Sequence, residues 1–285
     1  MNLMDNIISL HNDLKTKTYT HGGYYAFNIS DPKPRNIHKA SVRDRLLHHA
    51  IYRILYPYFD QKFISDSYSC RLDKGTHRAM ERFRRFSYQV SKNNTKQCWI
   101  LKCDIKKFFA NIDHSILLQI LEKHIEDQDI LWLLEGVTSS FDTGLPLGNL
   151  TSQLLVNIYM NDFDQFVKHE LKIKYYIRYA DDFLILSSNK TTLPHNIRYI
   201  VCYLDSRLKL SLHPDKVFIK TLSSGVDFLG WVHFPDHRVL RTTTNRRMMK
   251  NLAENRSKET AASYLGMLKW GNTHKITEKL NVFNV

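Results

Sequence analysis

The sequence YIRYADDFLIL, residues 176–186, places two adjacent aspartates, Asp181 and Asp182, between two apolar runs. Both runs have the composition of β-strands, so the stretch predicts a β-hairpin with the aspartates at its tip. Two like charges side by side repel each other. Polar pairs often mark solvated turns, but such turns usually carry Gly or Asn, and neither is present here. The sharper interpretation is that a divalent cation offsets the repulsion.

A third carboxylate complements the pair. Asp104 lies near the end of CWILKCDI, residues 98–105, which has the composition of a buried strand. In the middle of the chain the predicted order is strand, helix, helix, hairpin, helix and strand, which indicates the α+β class and a split β-α-β arrangement of the ferredoxin-like kind. In that arrangement Asp104 faces Asp181, and three carboxylates at adjoining strand ends could hold two Mg²⁺ ions about 3.5–4 Å apart. Strand-end aspartates are common singly, so the interpretation depends on the whole set.

The composition favours a polyanionic partner. The chain has 285 residues, and its 41 basic against 28 acidic side chains leave a net charge of +13. Nucleic acid is the commonest partner of such a chain, and no basic amphipathic helix supports the competing membrane-surface interpretation. The four cysteines fit neither a zinc site nor a disulfide framework, which predicts reduced thiols. No long apolar run or signal peptide is seen, so we expect no membrane span and a cytoplasmic location.

Apolar periodicity predicts the remaining elements. Helices are expected over 44–59, 77–90, 113–125, 150–171 and 191–209, and strands over 217–221, 227–231 and 238–241, followed by a basic helical tail. Linkers rich in Pro or Gly are absent from the sequence, which therefore predicts one continuous unit with subdomains.

The motifs together resemble the polymerase core of reverse transcriptases. The resemblance rests on YADD within residues 176–186 and on LKCDIKKFF at 101–109, and it covers nearly the whole chain from PKPRNIHKASVRDRLLHH at 32–49 onward. It implies an α+β, right-hand polymerase with fingers, a ferredoxin-like palm and a short helical thumb. The implied divisions of this single unit, residues 1–285, are 1–97 for the N-terminal segment and fingers, 98–235 for the palm with a fingers insertion around 114–150, and 236–285 for the thumb.

The resemblance also assigns the catalytic residues. It implies that Asp104, Asp181 and Asp182 bind two Mg²⁺ ions, for which Mn²⁺ can substitute, and that the main-chain carbonyl of Ile105 is a further ligand. Lys216 is similar to the lysine that protonates or neutralises the leaving pyrophosphate, a role that needs a cation near the β-phosphate. The alternative for Lys216 is a surface lysine after a turn.

Further residues resemble the site of the incoming deoxynucleotide. Phe109 stands where reverse transcriptases place an aromatic ring against C2′ of the sugar, which excludes a 2′-hydroxyl by steric clash. The alternative is a core phenylalanine beside Phe108. Arg71 and Lys74, in CRLDKGTH, resemble residues that hold the triphosphate, and the alternative is a solvated basic turn.

One stretch resembles a particular group of these enzymes. In GLPLGNLTSQ, residues 144–153, Leu147 stands where many reverse transcriptases carry Gln, and Gln153 stands where they carry Pro. The pattern is similar to that of the diversity-generating retroelements. These enzymes copy a template-repeat RNA with errors at adenines, and they work with a small basic accessory protein and a structured RNA. The hypothesis is that Leu147, which cannot hydrogen-bond the incoming nucleotide, lowers fidelity; the alternative is that it only packs.

The expected partners are template RNA, a primer or cDNA and dNTPs, without a membrane, in a prokaryotic or phage-encoded enzyme. Three other interpretations stay open. The first is a group II intron-like or antiviral-defence reverse transcriptase. The second is a catalytically silent RNA-binding protein, which has no chemical need to keep the carboxylates and Lys216 together. The third is an RNA-dependent RNA polymerase, which Phe109 disfavours.

Overall fold

The computed structural model describes residues 3–30, 34–254 and 257–282. The helices are α1 Leu3–Lys15, α2 Val42–Asp60, α3 Gly75–Val90, α4 His114–Glu122, α5 Gln128–Ser139, α6 Leu150–Gln165, α7 Thr192–Leu208, α8 Thr242–Glu254, α9 Lys258–Leu268 and α10 His274–Val282. The strands are β1 Tyr24–Ile29, β2 Arg35–Ala40, β3 Trp99–Asp104, β4 Tyr176–Tyr179, β5 Asp182–Ser187, β6 Phe218–Thr221, β7 Val226–Phe228, β8 Trp231–His233 and β9 Arg238–Leu240.

The central sheet carries the acidic motifs. Its four strands are antiparallel and lie in the order β4-β5-β3-β6. Helices α4 to α6 connect β3 to β4, and α7 connects β5 to β6. This order is that of the split β-α-β arrangement, so the predicted α+β class and ferredoxin-like palm are confirmed.

Both faces of this sheet are covered. Successive side chains of a strand point to opposite faces. Leu101 and Cys103 of β3 therefore join the large core beneath helices α2, α4, α6 and α7, while Ile100 packs into a second core with α3. Burial on both faces explains why β3 and β5 have nearly continuous apolar sequences.

A two-stranded hairpin precedes helix α2 and is hydrogen-bonded to the loop before α6. Ser41 is the N-cap residue of α2, and its Oγ accepts a hydrogen bond from the Asp44 amide at 3.1 Å. Strands β1 and β2 precede it as an antiparallel pair. The His38 amide of β2 donates to the Leu147 carbonyl at 2.9 Å, so the hairpin is bonded to the loop that leads into α6.

The C-terminal part packs around a third core. Strands β7, β8 and β9 form a three-stranded sheet, and helices α8 to α10 enclose Trp231, Met248 and Leu268. The predicted single strand over 227–231 is wrong. Leu229 and Gly230 have φ values of 52° and 87°, which turn the chain between β7 and β8.

Most of the other predicted elements are confirmed, with two corrections. Helix α4 ends at Glu122 rather than near 125, and the helix predicted over 150–171 is α-helical only to Gln165, after which Phe166–Glu170 is π-helical. Helices α1 and α5 and the hairpin β1–β2 were not predicted. The four cysteines are free thiols, as expected. Within the described ranges, none of the helices has the length and apolar character needed to cross a bilayer.

Candidate active site

The three carboxylates meet where β3 and β5 end. The strand register places Asp104 directly opposite Asp182. Asp181 lies in the preceding turn, and its carbonyl accepts a hydrogen bond from the Ile105 amide at 3.0 Å. The structure therefore brings the predicted residues together but corrects one detail. Asp182, rather than Asp181, is the cross-strand partner of Asp104, because Asp181 belongs to the turn and not to the strand.

Two lysines form ion pairs with this cluster. Lys216 Nζ lies 2.8 Å from Asp104 Oδ1, at the end of a 3₁₀ turn whose His213 amide donates to the Asp104 carbonyl at 2.8 Å. Lys102 Nζ lies 3.1 Å from Asp182 Oδ2 and donates to the Asp227 carbonyl at 2.9 Å. Lys216 was predicted, whereas Lys102 was not. The signal for Lys102 was a lysine inside an otherwise apolar strand, where an ionised side chain needs a partner.

Burial and mutual repulsion make the aspartates hard to ionise. Burial raises the pKa of Asp182 to about 6; Lys102 opposes this rise, and the charges of Asp104 and Asp181 add to it. Burial also raises the pKa of Asp181, against the charges of Lys216 and Arg35. The site thus holds more negative charge than its two lysines fully compensate, which is the electrostatic condition for cation binding.

The chemistry of the donor set, rather than its present arrangement, is that of a divalent-cation site. Among the described residues, no three His, Cys, Asp or Glu side chains are arranged to hold a metal ion. Asp182 Oδ1, however, is buried and lacks a hydrogen-bond partner in that part of the chain. A buried acceptor without a donor is destabilising, and hard carboxylate oxygens are the ligands that Mg²⁺ and Mn²⁺ prefer.

A buried ion pair holds the turn that carries Asp181. The side chains of Arg178 and Asp164 are fully buried and 2.7 Å apart between Nη2 and Oδ2. Arg178 Nη1 also donates to the Ala180 carbonyl at 3.2 Å, and Ala180 has a φ of 54°. This arginine stood in the sequence as the charged residue of an apolar strand, but its partner on α6 could not be read from sequence.

The loop before α6 lies against Phe109. Phe109 is half-buried in a 3₁₀ turn, and its carbonyl accepts a hydrogen bond from the Leu145 amide at 2.8 Å. Gly144 has a φ of 66°, and a Cβ there would lie 2.2 Å from the Phe109 carbonyl oxygen. Leu147 and Gln153 are half-buried on the same loop and the first turn of α6. The structure thus connects the predicted sugar-contacting ring with the loop of the predicted nucleotide site.

Arg71 and Lys74 are engaged locally. Arg71 has only 5% of its side chain exposed and donates to the Asp60 side chain at 2.6 Å and to the carbonyls of Asp60, Ile64 and Ser67. It thereby satisfies carbonyls at the end of α2 and in the following loop. Lys74 Nζ donates to the Ser65 carbonyl at 2.8 Å. Both cations are thus bonded to carbonyls of nearby segments, and Arg71 is buried rather than part of a solvated turn. Contact of Arg71 and Lys74 with a triphosphate stays a prediction.

Arg35 is a candidate site residue that sequence reasoning missed. It is exposed at the start of β2. Burial raises the pKa of Asp181, and the positive charge of Arg35 is among those that oppose this rise. In sequence, Arg35 stood among other basic residues in a segment without clear periodicity, so its position was not evident.

Comparisons with known proteins agree with this geometry. The model of the family described as "Reverse transcriptase (RNA-dependent DNA polymerase)" matches residues 29–233. Protein YkfC of Escherichia coli is 25% identical over 84% of this chain and 72% of its own length. The group II intron-encoded protein LtrA of Lactococcus lactis is 23% identical over 79% of this chain, which spans 48% of LtrA.

Solved structures share the fold. Apo telomerase of Candida tropicalis superposes with a TM-score of 0.59 at 12% identity, covering 84% of this chain and 60% of that one. Telomerase of Candida albicans, solved with a fragment of telomeric RNA, gives a TM-score of 0.57 at 11% identity, covering 80% of this chain and 46% of its own. At these identities the likeness concerns the right-hand polymerase fold alone.

Proposed function

The chain belongs to the reverse transcriptase family of RNA-dependent DNA polymerases, and from that premise we propose that it copies RNA into DNA at Asp104, Asp181 and Asp182. The observation that carries the proposal is the register of β3 and β5, which sets Asp104 opposite Asp182 beside the turn of Asp181. The carboxylates are partly buried, and Lys216 and Lys102 are paired with Asp104 and Asp182. Both features are expected of carboxylates that would release a lysine when a metal cation binds.

The chain's own groups would act by binding and positioning. Two Mg²⁺ or Mn²⁺ ions held by these carboxylates and the Ile105 carbonyl would supply activation of the primer hydroxyl and charge stabilisation at the leaving group. Lys216, released from Asp104, would place its ammonium group near the pyrophosphate and neutralise it. Lys102 would keep Asp182 in place through its second bond, to the Asp227 carbonyl.

The nucleotide pocket would be built from Phe109 and the loop before α6. The ring of Phe109 would contact C2′ and exclude ribonucleotides. Leu147 presents an apolar side chain where a Gln would donate and accept hydrogen bonds. Template RNA, a primer or cDNA and dNTPs would be the substrates.

The subclass we propose is the error-prone enzyme of a diversity-generating retroelement, which works with a small basic accessory protein and a structured RNA. The support is the sequence of residues 144–153, with Leu147 and Gln153 in place of Gln and Pro. A group II intron-like enzyme is the second candidate, because LtrA is a group II intron-encoded protein.

Primer extension on a mixed-sequence RNA template with Mg²⁺ and all four dNTPs tests the proposal. We expect cDNA from the wild type and from Asp205→Asn, a matched variant at an exposed carboxylate of α7. We expect none from Asp104→Asn or Asp181→Asn. A folded wild type that binds the duplex but makes no cDNA would favour the silent RNA-binding protein. Equal extension in a second reaction, with the four rNTPs in place of the dNTPs, would refute the role of Phe109.

Sequencing of the products separates the subclasses. Errors concentrated opposite template adenines, and reduced in Leu147→Gln, are expected of the diversity-generating enzyme. Faithful cDNA would favour the group II intron-like candidate. Adenine errors that persist unchanged in Leu147→Gln would retain the subclass but refute the role of Leu147.

A further inference from the structure

We propose that a basic pocket between the hairpin β1–β2 and the start of helix α2 binds a nucleotide of single-stranded template RNA ahead of the duplex. The proposal rests on the proposed function, since it assigns a second contact to the same template strand. The phosphate would lie against Lys39 and Arg45, and the base would stack on Tyr25. None of these residues belongs to the carboxylate site or to the predicted nucleotide pocket.

The pocket has the size and lining of a nucleotide site. Its volume is about 460 Å³, and its side chains include Tyr24, Tyr25, Lys39, Ser41, Val42 and Arg45. Among the described residues, the lining contains two cations and no acidic side chain. A cavity with uncompensated positive charge and aromatic walls matches the chemistry of single-stranded nucleic acid, which offers phosphates and unstacked bases.

Arg45 is the strongest indication of a missing anion. Its Nε is buried and has no hydrogen-bond partner in the part of the chain that the structure describes. A buried donor without an acceptor is destabilising, and a guanidinium group presents a fork that matches phosphate oxygens. A bound phosphate would therefore remove the cost and add the charge that the pocket lacks.

Asp44, the carboxylate next to Arg45 in sequence, is hydrogen-bonded to other groups. Asp44 is 1% exposed, and it accepts hydrogen bonds from the Tyr19 hydroxyl at 2.8 Å, the Gly22 amide at 3.1 Å and the Ser41 hydroxyl at 2.6 Å. These donors turn it towards the buried side of the segment before α2. The positive charge of the pocket is thus left to a ligand.

One face of the hairpin leads along β2 to this pocket. Residues directly opposite in an antiparallel pair share a face, and this face carries Ile29 opposite Arg35, Phe27 opposite Ile37 and Tyr25 opposite Lys39. Four residues of strand separate Arg35 from Lys39, a distance of about 13 Å. The face therefore alternates cations and apolar side chains from the start of β2 to the pocket.

This arrangement favours a strand over a free nucleotide. A strand with several phosphates can contact the cation at each end of the face at once, whereas a single nucleotide offers one phosphate group. Tyr25, which is 71% exposed, stands as a stacking platform beside Lys39. Stacking on aromatic side chains tolerates any base, as copying of an arbitrary template requires.

Fluorescence anisotropy with primer–template duplexes, without metal or dNTPs, tests the pocket. The duplexes carry template 5′ overhangs from blunt to about eight nucleotides, a span within the usual site size of single-strand binders. For the wild type we expect affinity to rise once the overhang reaches a threshold length. In Tyr25→Ala the affinity for the long-overhang duplex should be about tenfold lower than in the wild type, as the loss of one stacking contact predicts. Arg45→Gln and Lys39→Gln should each lower the salt slope by about 0.7.

Controls separate the pocket from general charge and from catalysis. Arg53→Gln removes an exposed arginine of the same helix and should keep the gain, and no pocket variant should change binding of the blunt duplex. Because Tyr25 is exposed, Tyr25→Ala keeps the test valid if Arg45→Gln fails to fold. A wild type whose affinity is independent of overhang length would overturn the proposal. Pocket variants that raise the KM for dNTPs but still bind overhang duplexes more tightly than blunt ones would also overturn it. The binding assay does not depend on cDNA synthesis, so a protein without polymerase activity can still show or lack the effect of the overhang.

Discussion

The buried pair of Arg178 and Asp164 gives the most demanding test of the site's architecture. Arg178→Met would leave the Asp164 carboxylate fully buried, with the Tyr176 hydroxyl, 2.7 Å away, as its remaining side-chain donor. Asp164→Leu would leave the guanidinium of Arg178 buried without its counter-charge. Removing one partner of a buried pair costs about 3–5 kcal/mol, because an uncompensated charge remains in a low-dielectric interior.

The double variant should cost much less than the sum. Replacing both charges with apolar side chains removes the uncompensated charge. The penalty that remains from Asp164→Leu is the unpaired Tyr176 hydroxyl, about 1–3 kcal/mol. The bonds of Arg178 to Asn157, Ser67 and Ala180 are lost in Arg178→Met as well, so they cancel in the cycle. The single variants together would cost about 6–10 kcal/mol, so the coupling free energy should be at least about 3 kcal/mol. Activity should respond differently from stability. The double variant loses the bond from Arg178 to the Ala180 carbonyl, so we expect cDNA synthesis at least tenfold below wild type.

Urea denaturation of the four proteins at pH 7, followed by circular dichroism, measures the cycle. The wild type, the two single variants and the double variant are compared at equal ionic strength. Costs that simply add, or an Arg178→Met variant that loses less than about 1 kcal/mol, would refute the buried-charge argument. A double variant with full activity would refute the role of Arg178 in holding the turn.

Three further predictions follow from single residues. Gly144→Ala should lower the free energy of unfolding by more than about 2 kcal/mol in urea titrations, because its Cβ would collide with the Phe109 carbonyl oxygen at a positive φ. Ala180→Gly should be neutral or stabilise by up to about 1 kcal/mol in the same assay, because glycine adopts a φ of 54° without steric cost. The pKa of Asp182 is raised to about 6 in the folded protein. Between about pH 4 and pH 6 the folded protein therefore keeps a proton on Asp182 that the unfolded chain has already released. Stability of the metal-free protein should therefore fall as pH rises from about 4 through about 6. Thermal melts should show a larger Mg²⁺-induced rise in Tm at pH 7.5 than at 5.5. Asp182→Asn should reduce that difference, and the raised pKa of Asp181 accounts for what remains.

Long periodic segments and the acidic motifs could be predicted from sequence. The repeat of apolar residues located α2, α3 and α7 within a few residues, because a helix that packs on a sheet must bury one face. The hairpin β1–β2 was missed for the opposite reason. The sequence YYAFNI does not alternate polar and apolar residues as a half-buried strand does. In the structure Tyr25 and Phe27 are exposed, so burial imposes no such pattern on this strand. No element was predicted between residues 125 and 150, where the structure has helix α5.

The candidate site was predicted by residue type but not by contact. Asp104, Asp181 and Asp182 are identified by motif, whereas their partners lie far away in the chain. Lys102 is bonded to Asp227, 125 positions later, and Arg71 is bonded to carbonyls of its own loop rather than standing free. Arg71 was predicted to hold a triphosphate and Lys102 was given no role, since sequence carries no information on which acceptor a flexible cation will find.

By itself the sequence determined the α+β class and the family, and it singled out three candidate carboxylates, because local periodicity and ordered motifs are properties of neighbouring residues. Only the tertiary structure decided that Asp182 faces Asp104, that Arg178 pairs with Asp164, and that the hairpin places Lys39 beside Arg45. Each of these depends on strand register or on packing between distant segments. Their energies come from burial and from the close approach of charges that are distant in sequence, and folding creates both conditions.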